Sequence, residues 1–259
     1  MTRRPMQTNS AVFVVARAGS TRLPNKMLAQ VGGRSVLTLQ LERLRLVIGV
    51  DTVLCTTSLP IDDPLVAEAE RAGAKCFRGD PEDVPARLLA AAKHFQTETF
   101  ALVEGDEVFT DPDYVAQALA ALRKLKADLI KVEALPIGSW VYAMRTDALQ
   151  RLCDLKGPGP VDGWSRYFSN SSLFRVEAVQ PDPPLPAFDP QLRLTLDYPE
   201  DLLLVQTIAE HLLNRSAAIR LRDALVLVNE KPELLDINRH LNEVYWQRIQ
   251  ASPLQSHSG

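Results

Sequence analysis

The sequence predicts an α/β fold with a mostly parallel, Rossmann-like sheet, helices on both faces and a smaller mixed second half. Between residues 11 and 126, short apolar runs alternate with longer helical patterns. The short runs are rich in β-branched residues, as buried parallel strands are, and several helical patterns begin with an acidic residue followed by proline. Strict alternation of strands and helices is typical of a parallel sheet that is covered on both faces.

Length and composition are those of an ordinary globular protein. The 259 residues are 46% hydrophobic and 24% charged, and the formal net charge is −3. This charge gives no indication of a nucleic-acid surface, and no apolar run reaches the length of a membrane span, so we expect neither partner. The three cysteines, Cys55, Cys76 and Cys153, lack metal-type spacing. They indicate reduced thiols and a cytoplasmic protein.

The first half is expected to contain four strands and four helices. We predict strands over residues 11–16, 51–57, 74–77 and 99–103. We predict helices that begin at Ser35, Asp63, Asp80 and Asp111, with Gly73 ending the second of them.

The second half is expected to be mixed. We predict strands over residues 128–133, 140–145 and 173–179, with one helix over residues 146–154. A proline-rich loop then leads to residues 192–197, which we interpret as a strand that returns to the main sheet. Further helices are predicted from Pro199 to about Leu213, from Leu221, and from Asn238 to Ile249.

A loop rich in small residues and cations follows the first strand, and we call residues 16–26 the cradle. Arg17, Arg22 and Lys26 can neutralise phosphate oxygens, and Asn25 tolerates a positive φ. The other residues let backbone N–H groups approach a phosphate or add hydroxyls: Ala16, Ala18, Gly19, Ser20 and Thr21. We interpret the loop as a binding site for a triphosphate. The alternative is an ordinary basic turn between a strand and a helix.

Polar residues also follow the other predicted strands at the points where they end. Thr56 and Thr57 end the second strand, Arg78 follows the third, and Glu104 and Asp106 follow the fourth. Ligands of open α/β sheets bind beyond the carboxyl ends of the strands. We therefore expect these residues and the cradle to converge on one crevice.

Asp106 and Asp197 are the candidate catalytic carboxylates. Each follows an apolar strand-like run directly, which would hold its carboxylate rigidly in the crevice. Mg²⁺ usually takes one or two carboxylates together with substrate phosphates. For Asp197 a second interpretation stays open, because Tyr198 and Pro199 follow it and Asp197 could cap the next helix.

These segments resemble the sugar-activating cytidylyltransferases. That group includes the 3-deoxy-manno-octulosonate and acylneuraminate enzymes and, with the greatest resemblance to this chain, the spore-coat polysaccharide SpsF-type proteins. The cradle resembles the family loop A-R-x-G-S-T/K-R-L/I-P-G-K. Residues 104–107 resemble its G-D-x-P segment, residues 77–84 its F-R-G-S-x-x-D-V segment, and residues 194–202 its L/V-T-V/L-D-T/Y-P-E-D-L/F segment.

The resemblance implies a GT-A-like nucleotidyltransferase sheet. It implies a magnesium-dependent transfer of CMP from CTP to a sugar, sugar-acid, phosphate or phosphonate acceptor, with release of pyrophosphate. Asp106 and Asp197 would hold the Mg²⁺, and Arg22 and Lys26 would act on the triphosphate, with Glu104 on the nucleotide side. By analogy with dimeric relatives, we expect a homodimer.

The base pocket is predicted from the same resemblance. In relatives the segments that match Thr56, Thr57 and Arg78 lie near the cytosine and the ribose. A helix-capping turn with a solvated arginine is the alternative for Arg78. Arg87 matches a family arginine, or it pairs with Asp83 one helical turn earlier.

The acceptor side departs most from the relatives. Residues 161–168 stand where relatives have an R-E-H-V-type acceptor segment. Trp164, Arg166 and Tyr167 combine aromatic faces, a cation and a hydroxyl, and with Trp140 they are the predicted acceptor-binding residues. The alternative is that the aromatic residues here belong to the core of a short helix.

The expected organisation is one domain with flexible ends. We predict a leader over residues 1–10, a nucleotidyltransferase domain over 11–250 (nucleotide-binding half 11–126, acceptor-side half 127–191, returning strand and C-terminal helices 192–250) and a tail over 251–259. Two other functions stay open: a nucleotidyltransferase of the same fold that uses another nucleoside triphosphate, and a non-catalytic nucleotide-binding protein.

Overall fold

The computed structural model describes residues 9–160, 164–169, 172–214 and 219–251, without the side chains of Trp164, Arg166, Ser169 and residues 248–251. The strands are β1 (Ser10–Val15), β2 (Gln30–Val31), β3 (Arg34–Ser35), β4 (Asp51–Thr57), β5 (Lys75–Gly79), β6 (Thr99–Glu104), β7 (Leu129–Val132), β8 (Val141–Arg145) and β9 (Val176–Val179). The α-helices are α1 (Val36–Leu44), α2 (Asp63–Arg71), α3 (Val84–His94), α4 (Pro112–Leu125), α5 (Thr146–Lys156), α6 (Pro199–Leu213), α7 (Leu221–Glu230) and α8 (Leu241–Ala251). Short 3₁₀ helices lie at Lys26–Leu28, Pro60–Asp62, Trp164–Ser169 and Pro232–Ile237.

Seven strands form the main sheet in the order β5-β4-β1-β6-β8-β7-β9. All neighbouring strands in it are parallel except that β8 runs antiparallel to both β6 and β7. The strands β2 and β3 form a separate antiparallel hairpin. The predicted fold class is confirmed, including the mixed character of the second half.

Both faces of the sheet are buried, which explains why β1 is apolar throughout. Val12 and Val14 belong to the core cluster with α1, α2, α4, α6 and α7. Ala11 and Phe13 point to the opposite face and pack with α3 and α5. Within the described ranges, no helix is both long enough and apolar enough to cross a membrane.

Capping residues set the starts of the helices, mostly as predicted. Ser35 caps α1 by accepting a hydrogen bond from the Thr38 backbone N–H at 3.1 Å, and Asp111 caps α4. The predicted start of α3 at Asp80 is wrong. Asp80 accepts hydrogen bonds from the backbone N–H groups of the next turn, and Asp83 caps the helix instead.

The returning segment over residues 192–197 is not a strand, which corrects the prediction. A single bridge joins Arg193 to Ile137, and the Leu196 N–H donates to the Asp106 carbonyl at 2.9 Å. The segment is buried on both sides, but its neighbours are the turns that follow β6 and β7 rather than a strand of the sheet. The alternation of apolar residues in this segment therefore reflects its burial, although the segment forms no β-ladder with a neighbouring strand. The last helix also begins later than predicted, at Leu241.

The returning segment depends on a glycine for its position. Gly138 has a φ of +85°, and a Cβ there would lie 2.0 Å from the backbone nitrogen of Thr195. Only a residue without a side chain allows the two backbones to approach this closely.

We expect Gly138→Ala to lower the free energy of unfolding by at least about 3 kcal/mol, because it adds a backbone clash to the strain of a positive φ. The matched control is Gly33→Ala, where φ is +78° but no heavy atom lies within 4 Å of the added Cβ. Strain alone should cost about 1–2 kcal/mol there. Urea denaturation measures both values, and equal losses would contradict the proposed constraint.

Candidate active site

A crevice of about 450 Å³ opens at the carboxyl ends of β1 and β6. Its cations are Arg17, Arg22, Lys26 and Arg87, and its acidic residues are Glu82, Glu104 and Asp106. The volume lies within the range of small-molecule sites in proteins. The predicted convergence of the cradle with the end of β6 is therefore present in the structure.

Lys26 connects the cradle to both candidate carboxylates. Its Nζ donates to Asp106 Oδ2 at 2.9 Å, to Asp197 Oδ1 at 3.2 Å and to the Leu196 carbonyl at 2.8 Å. Burial lowers the pKa of Lys26, but the two carboxylates outweigh burial and the net pKa is raised. The two aspartates thus point their oxygens at one cation.

Asp197 is almost fully buried, and its carboxylate has cations on two sides. Arg22 donates to Oδ1, the oxygen that also contacts Lys26. The Nη2 of Arg193 lies 3.5 Å from Oδ2. The helix-cap interpretation of Asp197 is wrong, because Tyr198 occupies the N-cap position of α6.

Asp62 anchors the cradle through the backbone of Ala18. This role was not predicted from the sequence. This buried carboxylate accepts hydrogen bonds from the Ala18 N–H at 2.7 Å, the Thr57 N–H at 3.1 Å and the hydroxyls of Thr56 and Thr57. Burial alone would raise the pKa of Asp62. The hydrogen bonds from Thr57, Ala18 and Thr56 outweigh it and hold the pKa below its usual value.

The residues predicted for the base pocket have structural partners. The buried hydroxyls of Thr56 and Thr57 are directed at Asp62. Arg78 donates to the carbonyls of Thr57 and Leu59 and to a carboxylate oxygen of Asp63, so it braces the loop after β4. Contact of these residues with a nucleotide base stays a prediction.

Two glutamates at the end of β6 carry raised pKa values. Glu104 is exposed to the open crevice, but desolvation by the crevice walls and the charge of Asp106 raise its pKa to about 7. Glu107 is buried, and burial together with Glu104 and Asp106 raises its pKa well above the ordinary value. Glu104 and Asp106 both line the crevice, and a bound cation would stabilise their charge.

Arg87 lines the crevice without pairing with Asp83. Its Nη1 donates to the Asp80 carbonyl at 2.6 Å. Burial lowers the pKa of Arg87, and the nearby charge of Arg17 adds to this. Asp83 pairs instead with the buried ammonium of Lys156 at 2.5 Å. The interpretation that Arg87 pairs with Asp83 is wrong.

The predicted acceptor residues do not form one cluster in the described part of the structure. Trp140 lines a second cavity of about 400 Å³ together with Lys131 and Tyr142. Tyr167 is half-buried against the core under α3 and α5, beside the buried Phe168. The side chains of Trp164 and Arg166 lie outside the described residues.

Arg193 and Asp201, which lie next to Asp197, were not predicted from the sequence, although the sequence contains a signal for Arg193. Arg193 and Asp197 lie four positions apart in a run of alternating apolar residues, so they face the same side of an extended segment. Arg193 makes a two-point ion pair with Asp201, at 2.9 Å and 3.1 Å. An arginine inside such a run indicates a buried carboxylate partner.

The protein has the α/β fold of a nucleotidyltransferase. The sheet order, the cradle after β1 and the two carboxylates that meet at Lys26 together define this class. A family model described as cytidylyltransferase matches residues 11–178. The chain belongs to the cytidylyltransferase family. The match includes Arg22, Lys26 and Asp106 and ends before Asp197.

Individual relatives and solved structures match between 62% and 88% of the chain. The spore coat polysaccharide biosynthesis protein SpsF of Bacillus subtilis is 24% identical over 87% of this chain and 96% of its own. A 3-deoxy-manno-octulosonate cytidylyltransferase of Serratia proteamaculans is 31% identical over 62% of each chain. The structure of a cytidylyltransferase from Leptospira borgpetersenii, 23% identical, superimposes with a TM-score of 0.80 over 88% of this chain and 97% of that one.

We expect Asp62→Asn to lower the free energy of unfolding at pH 7 by on the order of 2 kcal/mol, because an amide cannot accept all the hydrogen bonds that Asp62 receives. The pKa of Asp62 is lowered in the folded state, so its contribution is complete above about pH 4, the unfolded value, and is lost as pH falls through the folded pKa. The difference between wild type and variant should therefore shrink below about pH 4.

Denaturant titrations at several pH values measure this difference. The matched control is Asp51→Asn at the exposed pair with Lys75, where the loss should stay below about 0.5 kcal/mol. Equal losses in the two variants would show that Asp62 does not anchor the cradle.

Proposed function

We propose that the protein is a magnesium-dependent cytidylyltransferase that transfers CMP from CTP to a small sugar-type acceptor. The observation that carries this proposal is the convergence of Asp106, Asp197 and the cradle cation Lys26 on one point of the crevice. Membership of the cytidylyltransferase family supports CTP as the nucleotide.

The proposed reaction is a displacement at phosphorus. An oxygen of the acceptor forms a bond to the α-phosphorus of CTP, and the bond from that phosphorus to the bridging oxygen breaks, so that pyrophosphate leaves. Arg22 and Lys26 neutralise the charge of the triphosphate, and the rigid cradle orients it. The protein forms no covalent bond in this scheme.

Magnesium fits the donor set of the site. Asp106 Oδ2 and Asp197 Oδ1 already share one cation, the ammonium of Lys26. No group of three or more histidine, cysteine, aspartate or glutamate side chains suited to a metal occurs in the described part of the chain. Mg²⁺ is usually bound by one or two carboxylates, with substrate phosphates and water completing its shell. Bound there, the ion would polarise the phosphate oxygens.

Binding of the nucleotide would also change the partners of the cradle cations. Arg22 and Lys26 both form ion pairs with Asp197. A triphosphate offers more negative charge, so we infer that both side chains turn toward it and release the carboxylates for Mg²⁺. The ion pairs of the structure thus keep the site from holding unpaired charges.

The acceptor is proposed to bind beside the nucleotide, toward the cavity at Trp140. Lys131 and Tyr142 give this cavity a cation and a hydroxyl next to an aromatic face. Tyr142 pairs in the sheet with Leu102, which lines the crevice. Burial, with Glu107 and Glu104 adding to it, raises the pKa of Tyr142. The carboxylate of Glu133 lines the same cavity, so the set offers both charges and a hydroxyl to a polar, sugar-type acceptor. The homodimer and the cytoplasmic location stay predictions.

Release of pyrophosphate from CTP, measured across a panel of sugar, sugar-acid, phosphate and phosphonate acceptors, tests the proposed function. We expect release with CTP and at least one acceptor, and a loss of roughly a thousandfold or more in Asp106→Asn and Asp197→Asn, since each variant removes a metal ligand. Asp113→Asn, an exposed carboxylate paired with Arg220, is the control and should retain its rate. Turnover with another nucleoside triphosphate, or normal rates in both variants, would contradict the proposal.

A further inference from the structure

A buried group of polar residues lies behind Asp197 and reaches into the C-terminal part of the chain. Its centre is Arg193, which is fully buried. Asp201, Asn238 and Tyr245 surround it. All of these residues lie beyond position 178, where the family match ends.

Arg193 fixes the rotation of the Asp197 carboxylate. Its Nε and Nη2 donate to the two oxygens of Asp201 at 2.9 Å and 3.1 Å, a fork geometry that locks the guanidinium. The same Nη2 lies 3.5 Å from Asp197 Oδ2. With Oδ2 directed at Arg193, Oδ1 is left facing Arg22 and Lys26 in the crevice.

Asp201 fixes the backbone that carries Asp197. Its Oδ2 accepts the N–H groups of Asp197 at 2.9 Å and of Tyr198 at 3.0 Å. One buried carboxylate therefore orients both the main chain and, through Arg193, the side chain of Asp197. A two-point pair of this kind restricts motion more than a single charge contact does.

The C-terminal segment holds the pair in place. Asn238, which follows the 3₁₀ helix Pro232–Ile237, donates to Asp201 Oδ1 at 2.8 Å and to the Arg193 carbonyl at 3.0 Å. The ring of Tyr245 in α8 lies 4.9 Å from the guanidinium carbon of Arg193. This distance is within the range of a cation–π contact.

We infer that Arg193, Asp201, Asn238 and Tyr245 form a positioning unit that sets Asp197 for the metal and the triphosphate. The C-terminal helix is thereby part of the support of the catalytic centre. This inference rests on the proposed function, since it assigns the unit a role in magnesium-dependent binding of CTP. Outer residues that orient a metal ligand commonly change metal affinity by roughly ten- to a hundredfold when they are replaced.

The test is calorimetric titration of CTP into the full-length protein, with and without Mg²⁺, below the melting temperature. Arg193→Lys keeps the positive charge but loses the two-point hydrogen bonding to Asp201. The gain in CTP affinity that Mg²⁺ provides should therefore fall roughly tenfold or more. The CTP affinity without Mg²⁺ should stay unchanged. Asn238→Leu gives a second variant that keeps Arg193, and it should act in the same direction. The matched control is Arg220→Lys, at an ion pair between α7 and α4, which should keep the full gain.

The outcomes separate this inference from the proposed function. If the wild-type protein gains no CTP affinity from Mg²⁺, the proposed magnesium dependence is wrong and the positioning role is overturned as well. If the wild type shows the gain and both variants keep it, only the positioning role is overturned. A purely structural role would lower the melting temperature and weaken CTP binding equally with and without Mg²⁺.

Discussion

The ammonium group of Lys26 holds together three parts of the chain that are far apart in sequence. From the cradle it contacts Asp106 at the end of β6 and, in the returning segment before α6, Asp197 and the carbonyl of Leu196. Without this cation, two carboxylates would face each other across a partly buried crevice, which would be costly. The ion pairs of Lys26 with Asp106 and Asp197 therefore hold the cradle and the returning segment in their relative positions.

Other buried residues hold Lys26 and Asp197 in the positions in which they pair. Asp62 fixes the cradle by accepting the Ala18 N–H and the hydroxyls behind it. Arg193 fixes Asp197 from the opposite side. Lys26 and Asp197 have close opposite charges and Asp62 has several hydrogen-bond donors, which is the condition under which buried ions are tolerated. Asp197 is therefore held by cations on two sides, with Arg22 and Lys26 on one and Arg193 on the other.

Much of this could be predicted from the sequence, because local patterns carry it. The strand and helix alternation gave the fold class, and the position of Asp106 directly after an apolar run gave its place in the crevice. The role of Asp62 could not be derived, since it depends on the Ala18 N–H, which tertiary packing brings from another segment. The carboxylate partners of Arg193 lie close to it in sequence, but its contacts with Asn238 and Tyr245 depend on tertiary packing. The strand predicted at residues 192–197 is wrong because an alternating apolar pattern looks alike whether the neighbour is a strand or a turn.

A crystal structure with CTP and Mn²⁺, a substitute for Mg²⁺ that anomalous scattering can locate, is the most direct test of the central claim. We expect one metal ion bound by Asp106 and Asp197 and by phosphate oxygens, with the Lys26 ammonium moved from the carboxylates onto the triphosphate. A metal ion bound elsewhere, or a Lys26 that keeps both aspartates while CTP is bound, would contradict it.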